Sequence, residues 1–282
     1  MNPNTNYKDS FFTKLFSEPE HILRLYNAVS GSNYPLDTPI EITTLENVFY
    51  KGRYNDLSFI IDGKLCVLIE HQSSINPNMP LRLLIYFAEV IGSYAKTKGL
   101  NIYSSTAIQI PRPEFIVLYN GTEDFPEEKT LKLSDAFKNS PEEYNPSGNL
   151  ELDVRVLNIN KGQNQSFVQK SEELSGYVII VDEIRKNKDF GMTLEEAIAN
   201  AIKDCKDRDI LSDFLEKHGG EVMSLLYAEW KLDEYVAEQM NEAEHRKAIA
   251  TAKNALGMGL TPEQAAKIAD LPIAEVEAIS GV

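Results

Sequence analysis

The sequence predicts an α/β (α+β) protein: a mixed β-sheet flanked by helices, followed by an all-α C-terminal region. Three observations carry this expectation. Asp62-Gly63 joins two short strand-like segments, a strong hairpin signal. Strand-like runs then alternate with helix-length amphipathic segments, as in a sheet covered by helices. From about residue 190 every segment has helical periodicity, with helix-start residues at Thr193, Ser212 and Thr261. We therefore expect two domains, 1–188 and 189–282, with the change falling between residues 187 and 192.

In order along the chain, residues 7–29 carry Phe11, Phe12, Leu15, Phe16, Ile22, Leu23, Leu25 and Tyr26 at helical spacing. Pro19 divides that segment into two short helices. After a loop with Pro35 and Pro39, residues 40–49 read as an extended arm or edge strand. Residues 54–61 and 65–72 read as adjacent antiparallel strands. Residues 80–96 begin with a proline suited to a first helical turn and place Leu81, Leu84, Ile85, Ala88, Ile91 and Ala95 along one stripe, an amphipathic helix that should pack on the sheet. Residues 114–119 and 152–159 read as buried strands and residues 166–184 as a helix. In the C-terminal region, Gly219-Gly220 reads as a helix terminator. Thr261-Pro262-Glu263-Gln264 forms a capping box opening a helix that ends near Asp270, and Pro272 opens another.

The hairpin carries the chemistry, and parity fixes which of its side chains share a face. A two-residue loop would set Asp56 opposite Ile69 and mix apolar with polar partners. A three-residue loop, with Ile60 opposite Lys64 or Ile61 opposite Leu65, puts Leu57, Phe59 and Ile61 on one face with Leu65, Val67 and Ile69. Burial selects this second arrangement. Its other face brings Asp56 and Ser58 alongside Glu70 and Gln72, and Gly63 can take the left-handed position such loops require. Two carboxylates crowded together raise one pKa or demand a cation, and an oxygen-rich site suits Mg2+ or Mn2+ better than zinc. From spacing alone, Asp56 and Glu70 are either metal ligands or polar residues near strand ends.

Composition narrows the classes further. The chain has 282 residues, 43% hydrophobic and 25% charged, within the range of ordinary globular proteins. The longest continuous apolar run, residues 83–88, is far short of the roughly 20 residues of a membrane span, and the N-terminus lacks the basic start and apolar stretch of a signal peptide. We expect a cytoplasmic protein with no membrane partner, in which Cys66 and Cys205 are reduced thiols. The net charge of −15 is uneven: residues 1–119 hold 10 basic and 11 acidic side chains, residues 120–282 hold 18 and 32. A nucleic-acid contact therefore belongs in the first half, and the acidic second half reads as solvating or protein-contacting. The four histidines have no paired spacing, and no Walker or glycine-rich dinucleotide sequence is present. The last helix, residues 273–279, carries Glu275 and Glu277 with no lysine or arginine, so the helix-turn-helix outline of the C-terminus reads as an interaction or dimerisation module.

An Asp, a strand pair, then a Glu followed two residues later by Lys or a substitute resembles the signature of PD-(D/E)XK nucleases. The closer resemblance is to the Rpn group of recombination-promoting nucleases and transposases. It rests on Lys8-Asp9 with Phe11-Phe12 and Leu15-Phe16, on Asp56, on Leu68-Ile69-Glu70-His71-Gln72, and on Pro80-Leu81-Arg82 followed by Tyr86. The resemblance implies a restriction-endonuclease-like mixed sheet flanked by helices and a metal-dependent DNA endonuclease linked to recombination, mobile elements or phage defence. It further implies Asp56 and Glu70 as ligands of Mg2+ or Mn2+, joined by the backbone carbonyl of His71. Gln72 stands where the wider superfamily has lysine; it can orient a water but carries no charge. Arg82 and Tyr86 would bind substrate or support the site, although Arg82 reads equally as a helix-surface ion pair. Asp9, Glu18 or Glu20 could complete the ligand set. The partners expected are DNA and, through the C-terminal helices, a second copy of the chain. The competing readings are a nuclease-fold protein without turnover that acts as a binding or regulatory module, and a helical scaffold.

Overall fold

Ser10 opens the first helix because its hydroxyl accepts from the Thr13 N–H while the Thr13 hydroxyl accepts from the Ser10 N–H, a reciprocal cap. The computed structural model describes residues 10–43, 56–63, 65–73, 76–138 and 150–280. In it α1 (Phe11–Leu15) and α2 (Pro19–Ser30) are separate, broken at Pro19 as expected, and Gly31 ends α2 in the left-handed conformation. Lys8 and Asp9 lie outside the described residues.

Six strands form one mixed sheet among the described residues: β1 (Ile40–Ile42), β2 (Asp56–Ile61), β3 (Leu65–Gln72), β4 (Arg112–Tyr119), β5 (Glu128–Lys132) and β6 (Asp153–Asn158), in the order β1-β2-β3-β4-β6-β5. β3, β4 and β6 run parallel; β1, β2 and β5 run antiparallel to their neighbours. The hairpin has the three-residue loop, with Ile61 opposite Leu65 and Asp56 opposite Glu70. Gly63 is left-handed at φ 64°, and so is Asp62 at φ 50°, a conformation Asp tolerates better than most side chains. β5 is the strand that periodicity does not reveal. It reads Glu-Lys-Thr-Leu-Lys, and it forms because β6 offers an open edge, where Arg155 meets Glu128 at 3.1 Å and Lys132 meets Asp153 at 3.3 Å.

The sheet is buried on both sides. On one face Phe59 packs edge-on against Tyr26 of α2, whose hydroxyl donates to the Glu114 carboxylate at 2.7 Å. On the other, Ile60, Phe115, Val117, Tyr119, Val154 and Val156 meet α3 (Met79–Thr97). α3 buries Met79, Leu83, Tyr86 and Val90 together with Ala95 of the expected stripe, and Leu84 packs against the same core, whereas Leu81, Ile85 and Ala88 of the expected stripe are exposed. This corrects the facing of the helix. Apolar residues run almost around α3, so its rotation is decided by which ones fill the sheet face, each large side chain so buried being worth roughly 1.5–3 kcal/mol.

The helix expected over 166–184 is two: α4 (Gln165–Val168) and α5 (Glu172–Asp189), interrupted where Ser171 caps α5 by accepting from the Leu174 N–H. α6 (Leu194–Asp207) opens with the capping box of Thr193 and Glu196. α7 (Ser212–Gly257) continues through Gly219 and Gly220, so these do not terminate a helix; neither has positive φ, and buried Leu215, Val222 and Leu226 flank them on the packed face. Gly176 on α5 faces Leu211, and a Cβ there would lie 2.6 Å from Leu211 Cδ1, with Leu211 itself held at φ 51°. Gly176→Ala should therefore cost about 1–3 kcal/mol of stability, read as a lower midpoint in urea unfolding.

The chain divides into two units, residues 1–227 and 228–282. That is later than the expected change at 188/189, because α6 packs on α5, Leu211 fills the space over Gly176, and Phe214 lies 6.5 Å from Phe11. In the second unit, α8 (Pro262–Ala269) and α9 (Ile273–Ser280) enclose a small core of Ala252, Ala255, Ala265, Ala266, Ala269 and Val276. Thr261 and Gln264 form the expected capping box, and Asp270 ends α8 in the left-handed conformation. Among the described residues no helix is long and apolar enough to cross a membrane.

Candidate functional site

Asp56 is the first residue of β2 and Glu70 is its direct cross-strand partner in β3. The two positions share the α3 face of the sheet with Gln72, at the end where the parallel strands β3, β4 and β6 finish. Ser58 also lies on this face but is committed elsewhere: it is buried and its hydroxyl is 2.5 Å from that of Thr43. Ile60, next on the face, belongs to the core. The polar positions Asp56, Glu70 and Gln72 thus lie toward the strand ends, beyond the apolar part of this face.

Like charges on directly opposed strand positions repel, and a cation between them removes the penalty. A third oxygen follows from the ladder. The Gln72 carbonyl accepts from the Asn120 N–H at 2.9 Å on the β4 side. Successive carbonyls of a strand alternate, so the His71 carbonyl is directed to the β2 side, where Asp56 lies. Among the residues whose side chains are described, no cluster of three or more His, Cys, Asp or Glu could hold a metal ion. The residue types at these positions, two carboxylic acids and a backbone carbonyl, are hard oxygen donors of the kind that Mg2+ or Mn2+ takes.

The structure brings Gln72 and Arg82 together at one atom. Gln72 Nε2 donates to the Met79 sulfur at 2.8 Å, and Arg82 Nη1 donates to the same sulfur at 3.4 Å. Arg82 therefore stands beside Gln72. Tyr86, one turn further along α3, is buried in the core cluster rather than placed to bind substrate, because α3 is rotated as described above. Of the N-terminal acids, Glu18 and Glu20 are not brought to this patch. Glu18 is exposed and Glu20 is paired with Arg24 on α2, which packs over the opposite face of the sheet.

Residues that sequence reasoning missed complete the strand ends. Asn120 and Gly121 follow β4, Asn158 ends β6 and Asn160 follows it, and Arg185 reaches them from α5. Arg185 Nη1 donates to Asn120 Oδ1 at 3.0 Å and Asn160 Oδ1 at 2.8 Å, while Nη2 donates to the Asn120 carbonyl. Asn160 Nδ2 donates to the Gly121 carbonyl at 2.9 Å, and Asn158 Nδ2 to the Phe125 carbonyl at 2.8 Å. Asn120 is 3% exposed, and among the described residues its Nδ2 is buried without an acceptor, which costs about 1–3 kcal/mol. Burial raises the Tyr119 hydroxyl above its ordinary pKa, and it donates to the Glu123 carbonyl at 3.1 Å. The visible signal was Asn120-Gly121 directly after an apolar strand; Arg185 had none, being one cation in a charged helix.

A family model described as "Putative transposase, YhgA-like" matches residues 51–210, more than half of the chain. The match spans Asp56, Glu70, Gln72, Arg82, Asn120 and Arg185. Searches of curated proteins and of solved structures returned no match. The chain belongs to the YhgA-like transposase family.

Proposed function

We propose that this chain is a divalent-metal-dependent DNA endonuclease, built on a restriction-endonuclease-like sheet of the PD-(D/E)XK type and related to the Rpn group, that serves recombination, mobile elements or phage defence. The observation that carries this reading is the direct pairing of Asp56 with Glu70, with Gln72 on the same face at the open end of the sheet. Membership in a family described as transposases supports a DNA substrate.

Asp56, Glu70 and the His71 carbonyl would hold Mg2+ or Mn2+. When bound, such an ion acidifies a coordinated water and offsets charge growing on the phosphoryl oxygens. Gln72 has its amide nitrogen on the Met79 sulfur, which fixes the side chain so that its carbonyl oxygen can orient the attacking water. Arg82, donating to that same sulfur, supplies beside Gln72 the positive charge that a lysine would have carried, and it engages the scissile phosphate. Tyr86, on the buried face of α3 one turn from Arg82, would support the site through the packing of that helix on the sheet. A homodimer through the C-terminal helices is the partner reading for the second unit, whose α9 carries Glu275 and Glu277 and no cation.

The test is plasmid cleavage by the purified full chain in Mg2+ or Mn2+, against EDTA. Nicking or linearisation that EDTA abolishes is the expected result. Absence of cleavage, together with absence of Mn2+ binding by calorimetry, would replace this reading with the binding or regulatory module, which Gln72 at the lysine position and the acidic second half favour.

A further inference from the structure

We propose that Arg185 is a positioning residue of the candidate metal site, acting through Asn120 on the end of β3 that carries Glu70, His71 and Gln72. Its effect on turnover rests on the nuclease reading above; its effect on the backbone does not.

The guanidinium engages three oxygens from two segments: Asn120 Oδ1, the Asn120 carbonyl and Asn160 Oδ1. Those oxygens follow β4 and β6, so one cation ties together the finishing ends of two parallel strands and α5. The chain of contacts then reaches the site in one step, because the Asn120 N–H donates to the Gln72 carbonyl at 2.9 Å. That hydrogen bond fixes the peptide plane after Gln72, and strand alternation sets the His71 carbonyl on the other side from the same plane sequence. Moving Asn120 therefore turns the one backbone donor of the proposed metal site.

Asn120 itself is chosen for this relay and not for its own satisfaction. Its carbonyl and Oδ1 both serve Arg185 and its N–H serves Gln72, while the buried Nδ2 is left without an acceptor. Each of the three oxygens that receive Arg185 is a neutral amide oxygen, two from asparagine side chains and one from the backbone. A planar fork is needed to reach Oδ1 of two asparagines and a carbonyl at once; an ammonium on a flexible stem cannot reproduce it. The neighbouring chain approaches closely enough to transmit a shift, since a Cβ on Gly121 would lie within contact distance of the Ser73 carbonyl.

The experiment compares full-length wild type with Arg185→Lys by amide hydrogen exchange, Mn2+ calorimetry, plasmid-cleavage kinetics and thermal melting. The expected result is faster exchange at the Asn120 amide with α3 unchanged, weaker Mn2+ binding, and kcat lowered about 10- to 100-fold with KM retained, as outer partners of metal sites do. Asn120→Ala, which removes one leg of the fork and leaves the others, should reproduce this pattern and stands in if the lysine variant does not fold. Unchanged exchange at Asn120 overturns the proposal. So does a lower melting temperature with Mn2+ affinity and kcat per folded molecule unchanged, the mark of a merely structural residue. In both cases an active wild type leaves the nuclease reading standing; a wild type that neither binds Mn2+ nor cleaves overturns both.

Discussion

Asp56→Ala and Glu70→Ala are each expected to lose divalent-ion-dependent plasmid cleavage, by more than about 100-fold, the upper end of what outer partners of a metal site cost. The reason is the register. The two positions are direct cross-strand partners, so removing either takes away one of the two carboxylates proposed to hold the ion. The same register gives the variants a signature that general damage would not. In EDTA the wild type carries two opposed carboxylates that repel, so each variant should melt at the same temperature as the wild type or higher. Added Mn2+ should then raise the wild-type melting temperature, by the equivalent of about 2.7 kcal/mol at a hundred times the dissociation constant, and leave both variants unmoved. A variant that retains cleavage, or that melts lower in EDTA, would remove that residue from the ligand set.

Gly121→Ala is expected to damage stability and activity together. Gly121 needs no special φ; what it needs is space. An added Cβ would sit within contact distance of the Ser73 backbone carbonyl and 2.5 Å from the Tyr119 hydroxyl. The Tyr119 ring is itself confined by Phe125 at 4.7 Å and by its bond to Glu123. Backbone cannot rotate aside as a side chain can, so β3 and β4 must separate at the end where Gln72 accepts from Asn120. Overpacking of this kind costs about 1–3 kcal/mol, which in a unit of this size lowers the melting temperature by roughly 2–10 °C. Cleavage per folded molecule should fall as well, because the strand ends that part are those of the site. Stability and cleavage both at wild-type values would show that the gap between Ser73 and Gly121 is open to a side chain.

The hairpin was legible because its determinants are local. Alternation of Leu57, Phe59 and Ile61 with Leu65, Val67 and Ile69 admits one parity, and Asp62-Gly63 supplies a loop of the right length. The candidate site was legible for the same reason: Asp56, Glu70 and Gln72 fall on one face once parity is chosen. Helix caps at Thr193 and Thr261 were equally local, each being a side chain bonded to backbone three residues on.

Other features depend on partners distant in sequence. α3 is apolar on most of its circumference, so periodicity set Leu81, Ile85 and Ala88 inward along with Leu84 and Ala95, and only the side chains of β2, β4 and β6 determined that Met79, Leu83, Tyr86 and Val90 turn inward. β5 is polar and exists because the edge of β6 accepts it. Gly219 and Gly220 stay helical because burial of Leu215, Val222 and Leu226 outweighs their low propensity.

By itself, then, the amino-acid sequence determined the parity of the hairpin and the placing of Asp56, Glu70 and Gln72 on one face of it, consequences of alternation and turn chemistry within some 17 residues. Tertiary structure alone decided what surrounds that pair. Arg82 and Gln72 meet at the sulfur of Met79, and Arg185 meets Asn120 across 65 residues of chain, because the sheet order and the facing of α3 and α5 bring them there. A polar side chain carries no periodicity of its own, so its partner becomes known only when the apolar faces have been packed.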